Sequence, residues 1–223
     1  DWLTNAPQVT IRLGDQTVRS SDQPTEAGTG YFQKTFDSRS IKANMGHVKV
    51  TVKSVGKEAA GRPAWGAVYW QYFENLDKIS HVIMPLQVTK KLFVEKNSDR
   101  GPVLHPLNEG DVLQVGDKVT VRIEIRNNRD MDYVHMKDMR AACLEPVNVL
   151  SQYKWQGGLG YYESTKDAAT NFFFSRLPKG TFVFEYPLYV THTGTFSNGI
   201  TTIQCMYAPE FTSHSEGVKV RVE

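Results

Sequence analysis

The sequence predicts an all-β chain of antiparallel sheets, each with one face on a core. Three observations carry this. Apolar residues recur at every second position in run after run, turn-forming glycine pairs such as Gly14-Asp15 and Gly116-Asp117 punctuate those runs, and no window of about ten residues holds the 3.6 period of an amphipathic helix. Only 167–169 has the polarity for a single helical turn.

The elements follow in order. Val9, Ile11 and Leu13 alternate with Thr10 and Arg12, and Gly14-Asp15 supplies the hairpin turn. Val48, Val50, Val52 and Val55 form a second alternating run between Gly46 and Gly56. GKEAAGRPAWG (56–66) reads as loop, and AVYWQYF (67–73) as a strand with aromatics on both faces, hence covered on both sides. Asn75 to Pro85 shows no pattern and reads as a linker. From Leu86 onward strand patterns recur at the size and turn spacing of an immunoglobulin-type β-sandwich, with about seven of them expected. Val119, Val121, Ile123 and Ile125 against Thr120, Arg122, Glu124 and Arg126 are the clearest. The division predicted is a smaller, incomplete β-domain over 1–80 and an antiparallel β-sandwich over 81–223.

Bulk properties narrow the function. The 223 residues carry 26 basic and 24 acidic side chains, interleaved, for a net charge of +2. No basic stripe exists, so nucleic acid is not an expected partner. No apolar run approaches the ~20 residues needed to span a bilayer, and no direct membrane insertion is expected. Asp1-Trp2-Leu3 shows no basic region or cleavage site, and the abrupt start beside a strand predicts a fragment of something longer. Cys143 and Cys205 are too few for a disulfide framework. They either pair in an oxidising compartment or are buried free thiols, which is the commoner state.

Motifs for chemistry are sparse. CLEP (143–146) has the cysteine and glutamate of an internal thioester, but Pro146 stands where the reacting glutamine is required, so it reads as a turn at a strand end. Asp130, Asp132, His135 and Asp138 could hold a metal, yet alternation puts His135 on the opposite face from the three carboxylates. The six histidines show no zinc spacing, and no nucleophile elbow or phosphate loop is present. Neither a catalytic set nor a cofactor or metal is therefore expected. The aromatics Trp155, Tyr161 and Tyr162 around GGLG (157–160) are candidates for a contact surface, or else fold back onto the sandwich. Of Phe172, Phe173 and Phe174, two are expected in the core and one outside. Tyr207, just before Pro209 where a strand must lose ladder bonds, is the residue placed most readily at an interdomain contact.

An ordered set of motifs carries a resemblance. LQVTKKLFVE (86–95), LNEGDVLQVGDKVTVRIEI (107–125), DYVHMKDMRAACLEP (132–146), RLPKGTFVFEYPLYVTHTGTF (176–196) and MYAPEF (206–211) resemble, in this order, the C-terminal macroglobulin-like domain of bacterial alpha-2-macroglobulins. DWL (1–3) looks like the tail of that family's helical thioester domain, and VTIRLG through AVYWQYFENL (9–76) is similar to the second half of its CUB domain. The chain departs from the pattern at Cys143, where the family usually has glycine, and at Ala141, where it usually has proline.

The resemblance implies a non-catalytic part of an endopeptidase inhibitor that entraps proteases. Its partners within the parent chain would be the thioester-type domain and the first half of the CUB domain, and it would meet target proteases through the parent. The implied location is the periplasm or cell envelope, a lipid anchor on the parent included. Met206, Tyr207, Pro209 and Glu210 would be the contact with the thioester-type domain, making the sandwich a scaffold and latch. A rival of another class is an adhesion or carbohydrate-binding sandwich, with Trp155, Tyr161 and Tyr162 as its stacking platform.

Overall fold

The computed structural model describes residues 7–27, 29–53, 65–80 and 84–223. Two compact units are present, 1–69 and 70–223. DWL (1–3), Val55 and most of the 56–66 loop lie outside the described residues.

In the first unit, β1 (Gln8–Leu13), β2 (Gln16–Arg19) and β3 (Val48–Lys53) form a three-stranded antiparallel sheet with β1 at its centre. Gly14-Asp15 turns β1 into β2, and the register pairs Leu13 with Gln16 and Ile11 with both Val18 and Val50. Of its described residues only Leu13, Val18 and Met45 are buried, while Val48, Val50 and Val52 stand exposed. The alternation is there, but the face it creates has little covering it among the described residues. Residues 65–75 form no strand, contrary to the reading of AVYWQYF. Trp65, Tyr69, Trp70, Tyr72 and Phe73 are exposed along it. A strand exists only where a neighbour completes its ladder, and no described residue pairs with this segment.

The second unit contains β4 (Leu86–Ser98), β5 (Gly101–Pro106), β6 (Val112–Leu113), β7 (Lys118–Asn127), β8 (Met131–Met139), β9 (Leu144–Pro146) and β10 (Gln152–Gln156). It continues with β11 (Leu159–Thr165), β12 (Ala169–Leu177), β13 (Gly180–Val190), β14 (Gly194–Ser197), β15 (Thr201–Cys205), β16 (Ala208–His214) and β17 (Lys219–Val222). One sheet runs β5-β4-β7-β13-β9 and another β10-β11-β12-β8-β15-β16. A small third, β14-β17-β6, joins β17 to β6 in parallel. Fourteen strands replace the seven expected, because pieces as short as Val112–Leu113 and Leu144–Pro146 are too brief to show a period. The fold is an all-β sandwich, and residues 167–169 form no helical turn.

The core lies between the two larger sheets. Val119, Val121, Ile123 and Ile125 of β7 are all fully buried, as their alternation requires. From the opposing sheet come Met136, Phe172, Phe174 and Tyr161. Phe172 and Phe174 point inward and Phe173 outward, the division expected of the triplet. Rings of Tyr161, Phe172, Phe184 and Tyr186 meet at centroid distances of 5.1 to 5.7 Å, within the range of favourable aromatic pairs.

The linker reading of 75–85 also changes. Leu76–Lys78 is a 3-10 turn whose Asp77 pairs with Lys219 at 3.0 Å, and the Gly217 N–H donates to the Ile79 carbonyl at 2.8 Å. The Lys219 ammonium holds the Asp77 carboxyl below its usual range. Asp77 and Ile79 are thereby fastened beside β17.

Candidate functional site

The sharpest surface feature is the hairpin of β15 and β16. Cys205 pairs with Ala208, so Met206 and Tyr207 alone form the tip. The register then jumps: Gln204 pairs with Thr212, leaving 209–211 unpaired as a bulge. Proline has no N–H to give a ladder, and Pro209 sits in that bulge on an edge strand, where its missing donor costs nothing. Phe211 turns back from the bulge against the core, with the Arg129 guanidinium 4.8 Å from its ring centre.

The tip is held from below by β8. The Met206 N–H donates to the Tyr133 carbonyl at 2.9 Å, and the Tyr133 and Tyr207 rings meet edge to face at 5.3 Å. Tyr133 has φ +55°, in the left-handed region that aromatic side chains rarely enter. That twist breaks the alternation of β8, so Met131 and Val134 both face inward although three positions apart. Tyr207 is 81% exposed, and Met206, Pro209 and Glu210 are exposed beside it. The four residues expected at an interdomain contact thus come together on one fixed protrusion. Its chemistry is that of recognition: an aromatic face, a thioether and a phenol that can donate or accept one hydrogen bond.

The other aromatic candidates divide. Trp155 is 77% exposed and Tyr162 partly so, but Tyr161 is 3% exposed and belongs to the core. In β11 alternation sends Leu159, Tyr161 and Glu163 inward and Gly160 and Tyr162 outward. Tyr161 therefore leaves the surface set. Burial and the nearby Glu163 carboxylate push its phenol up to about 12, and its hydroxyl donates to Gln156 Oε1 at 3.2 Å. The GGLG loop is a two-residue hairpin turn in which Gly157 and Gly158 both have positive φ, the pairing a type I′ turn demands.

The acidic cluster comes apart. Asp130 is exposed, accepting from the Lys179 N–H and from Arg176, each at 2.8 Å, and these donors hold its carboxyl below the usual range. Asp138 instead is completely buried. Among the described residues no three histidine, cysteine or carboxylate side chains gather as metal ligands. Of CLEP only Cys143 lies in a turn, closed by the Leu144 N–H donating to the Ala141 carbonyl, and Leu144–Pro146 is β9 itself. Cys143 and Cys205 are buried free thiols.

Asp138 is the centre of a polar cluster that the sequence reading missed. Lys90 Nζ lies 2.7 Å from Asp138 Oδ1, with both side chains essentially without solvent exposure. Lys90 also donates to the Met139 carbonyl at 2.6 Å, Thr201 Oγ1 donates to Asp138 Oδ1 at 2.6 Å, and the Tyr186 hydroxyl donates to Oδ2. Burial, with the Asp138 charge second, holds the Tyr186 phenol well above its usual value. Lys90 and Tyr186 come from one sheet, Asp138 and Thr201 from the other, so the cluster rivets the sandwich. A signal existed: Leu86, Val88, Lys90, Leu92, Val94 and Val134, Met136, Asp138 are alternating sets in which one charged residue occupies an inward place.

Comparison with known proteins decides the family. The family model for the bacterial alpha-2-macroglobulin MG10 domain matches residues 86–210, more than half of the chain. The chain belongs to the bacterial alpha-2-macroglobulin MG10 family. No curated protein gives a significant match. Among solved structures, Escherichia coli alpha-2-macroglobulin activated by porcine elastase aligns at TM-score 0.52 and 13% identity, over 98% of this chain and 18% of that one. Salmonella alpha-2-macroglobulin reacted with methylamine aligns at TM-score 0.50 and 14% identity, over 97% of this chain and 13% of that one. A Salmonella alpha-2-macroglobulin point mutant gives 0.50 and 13%, with the same coverage. At such identity the likeness speaks for the fold, and the chain spans only 13% to 18% of these structures. The MG10 match ends at Glu210, so it takes in the whole Met206–Tyr207 tip.

Proposed function

We propose that this chain is the C-terminal part of an alpha-2-macroglobulin-like endopeptidase inhibitor and makes or breaks no bond itself. Its sandwich is a scaffold, and the Met206–Tyr207 tip is a latch against the thioester-type domain of the parent chain. The observation that carries this reading is an exposed aromatic tip held by contacts from β8. Tyr207 stands in solvent, yet a backbone hydrogen bond, an edge-to-face ring contact and a bulge fix where it points. Preorganisation of that kind lowers the cost of docking and suits a contact that must form and break as a unit.

The first unit is read as the second half of a CUB domain, completed by strands of the parent. The exposed valines of β3, with Trp65 and Tyr69, support this, being apolar surface of the kind another layer covers. Proteases are met through the parent, in the periplasm or cell envelope. Methylamine and porcine elastase, named for the Salmonella and Escherichia coli structures, point to the test.

In the full-length parent, Tyr207→Ala is expected to speed limited proteolysis between domains, and to raise spontaneous reaction with methylamine where a thioester is present. Losing one edge-to-face pair and its docking area is worth about 1–3 kcal/mol, roughly a 5- to 150-fold change in a two-state equilibrium. Wild-type rates on both counts would remove the latch.

A further inference from the structure

The outer face of the six-stranded sheet carries a second, separate feature. Tyr153 pairs across the ladder with Tyr162, Tyr162 with Phe173, Phe173 with His135, His135 with Gln204 and Gln204 with Thr212. This row crosses every strand of the sheet without a carboxylate or an ammonium. Its first four members form a continuous aromatic stripe. Tyr153 and Tyr162 meet at 5.0 Å, Tyr162 and Phe173 at 6.5 Å, and Phe173 and His135 stack at 4.8 Å. Four strands at about 4.8 Å spacing give the stripe a length of roughly 14 Å.

Trp155 extends it, and its pose is built. The indole lies over Gly160, directly across the β10–β11 ladder, where any Cβ would meet its ring carbons at 2.9 and 3.0 Å. Only glycine lets the ring lie down on the sheet, and the opposite face then looks to solvent. The neighbouring row of the same face is polar: Ser164, Asn171, Lys137, Thr202 and His214 follow one another through the registers. Asn171 Oδ1 lies 3.0 Å from His135 Nε2, which anchors the join between the two rows.

We propose that this face binds a neutral oligosaccharide. Pyranose rings present flat C–H surfaces that lie on aromatic rings, and hydroxyls that pair with amides and side-chain hydroxyls in both donor and acceptor roles. The exposed rings of Tyr153 and Trp155, beside a row of hydroxyl, amide, ammonium and imidazole groups, match that pattern. The charge pattern argues against a polyanionic occupant. Nucleic acid or an anionic bilayer requires a field of cations, and these two rows carry one ammonium, that of Lys137. The site is distinct from the Tyr207 tip and does not depend on the latch.

The test is titration calorimetry of the whole chain with two probes, a β-1,4-linked N-acetylglucosamine hexamer and a β-1,4-linked glucose hexamer. Saturable binding of at least one is expected at millimolar concentration or below. Trp155→Ala and Tyr162→Ala should each weaken it about tenfold, the worth of one aromatic contact, with unchanged thermal melting. Trp155→Tyr, which keeps a ring, should retain most of the affinity, and Tyr207→Ala all of it. Absence of binding to both hexamers up to about 10 mM would overturn the proposal. So would binding that neither alanine variant affects, or concentration-dependent self-association that Trp155→Ala abolishes, since the face would then belong to a second copy.

Discussion

Asp138→Asn is expected to lower the unfolding free energy of the sandwich by about 3–5 kcal/mol, read as a fall in urea midpoint at neutral pH. The substitution keeps the shape of the side chain and removes its charge. Lys90, whose side chain is about as buried, then keeps a desolvated ammonium with no counter-charge, facing only neutral oxygens, the amide at 138 and the Met139 carbonyl. The hydroxyls of Tyr186 and Thr201 lose a charged acceptor at the same time. Groups in one network do not add, so adding Lys90→Met should recover part of the loss. A penalty below about 1 kcal/mol for Asp138→Asn would mean that the cluster is solvated and does not rivet the sheets.

The second large effect is expected at Phe172. This ring is fully buried and touches those of Tyr161, Phe184 and Tyr186, which come from both sheets. Truncation leaves a cavity that three neighbouring rings cannot easily fill, so Phe172→Ala should cost about 3–5 kcal/mol. Phe173→Ala, one residue on and 40% exposed, should stay within about 1 kcal/mol. The contrast matters more than either value. Equal penalties would place β12 in a different register, because a one-residue slip exchanges the two faces.

Much of the sandwich was legible because burial on one face writes period two into the sequence. β7 is the plainest case, and the fate of the Phe172–Phe174 triplet follows from the same rule. Legibility failed where the cause was not local. AVYWQYF has the composition of a strand, but a strand needs a partner, and composition names none. The valines of β3 alternate correctly and still face solvent, since alternation marks a face for covering without supplying the cover. The aromatics near GGLG do not act as a group: a two-residue turn restores strict alternation at once and sends Tyr161 back onto the sandwich, the second of the two outcomes the sequence allows. The pairing of Lys90 with Asp138 is hidden for a different reason. A charged residue in an apolar series reads as a surface position until its counter-ion is located on another strand, 48 residues away in sequence.

At the candidate site Tyr207 is legible from Pro209 nearby, and Met206, Pro209 and Glu210 only from the family resemblance; the support is legible from neither. Tyr133 holds the tip through a left-handed backbone conformation and a carbonyl, neither of which its side-chain type announces. The aromatic stripe was equally hidden, for its members are scattered over four strands and meet only through register.

Photo-crosslinking from the hairpin tip tests the central claim most directly. With Tyr207 replaced by p-benzoylphenylalanine in the full-length parent, irradiation of the intact protein should join this position to another domain of the same chain. Cleavage by a protease beforehand should abolish that product. An intact protein that gives no such crosslink, or a yield that protease treatment leaves unchanged, would contradict the account.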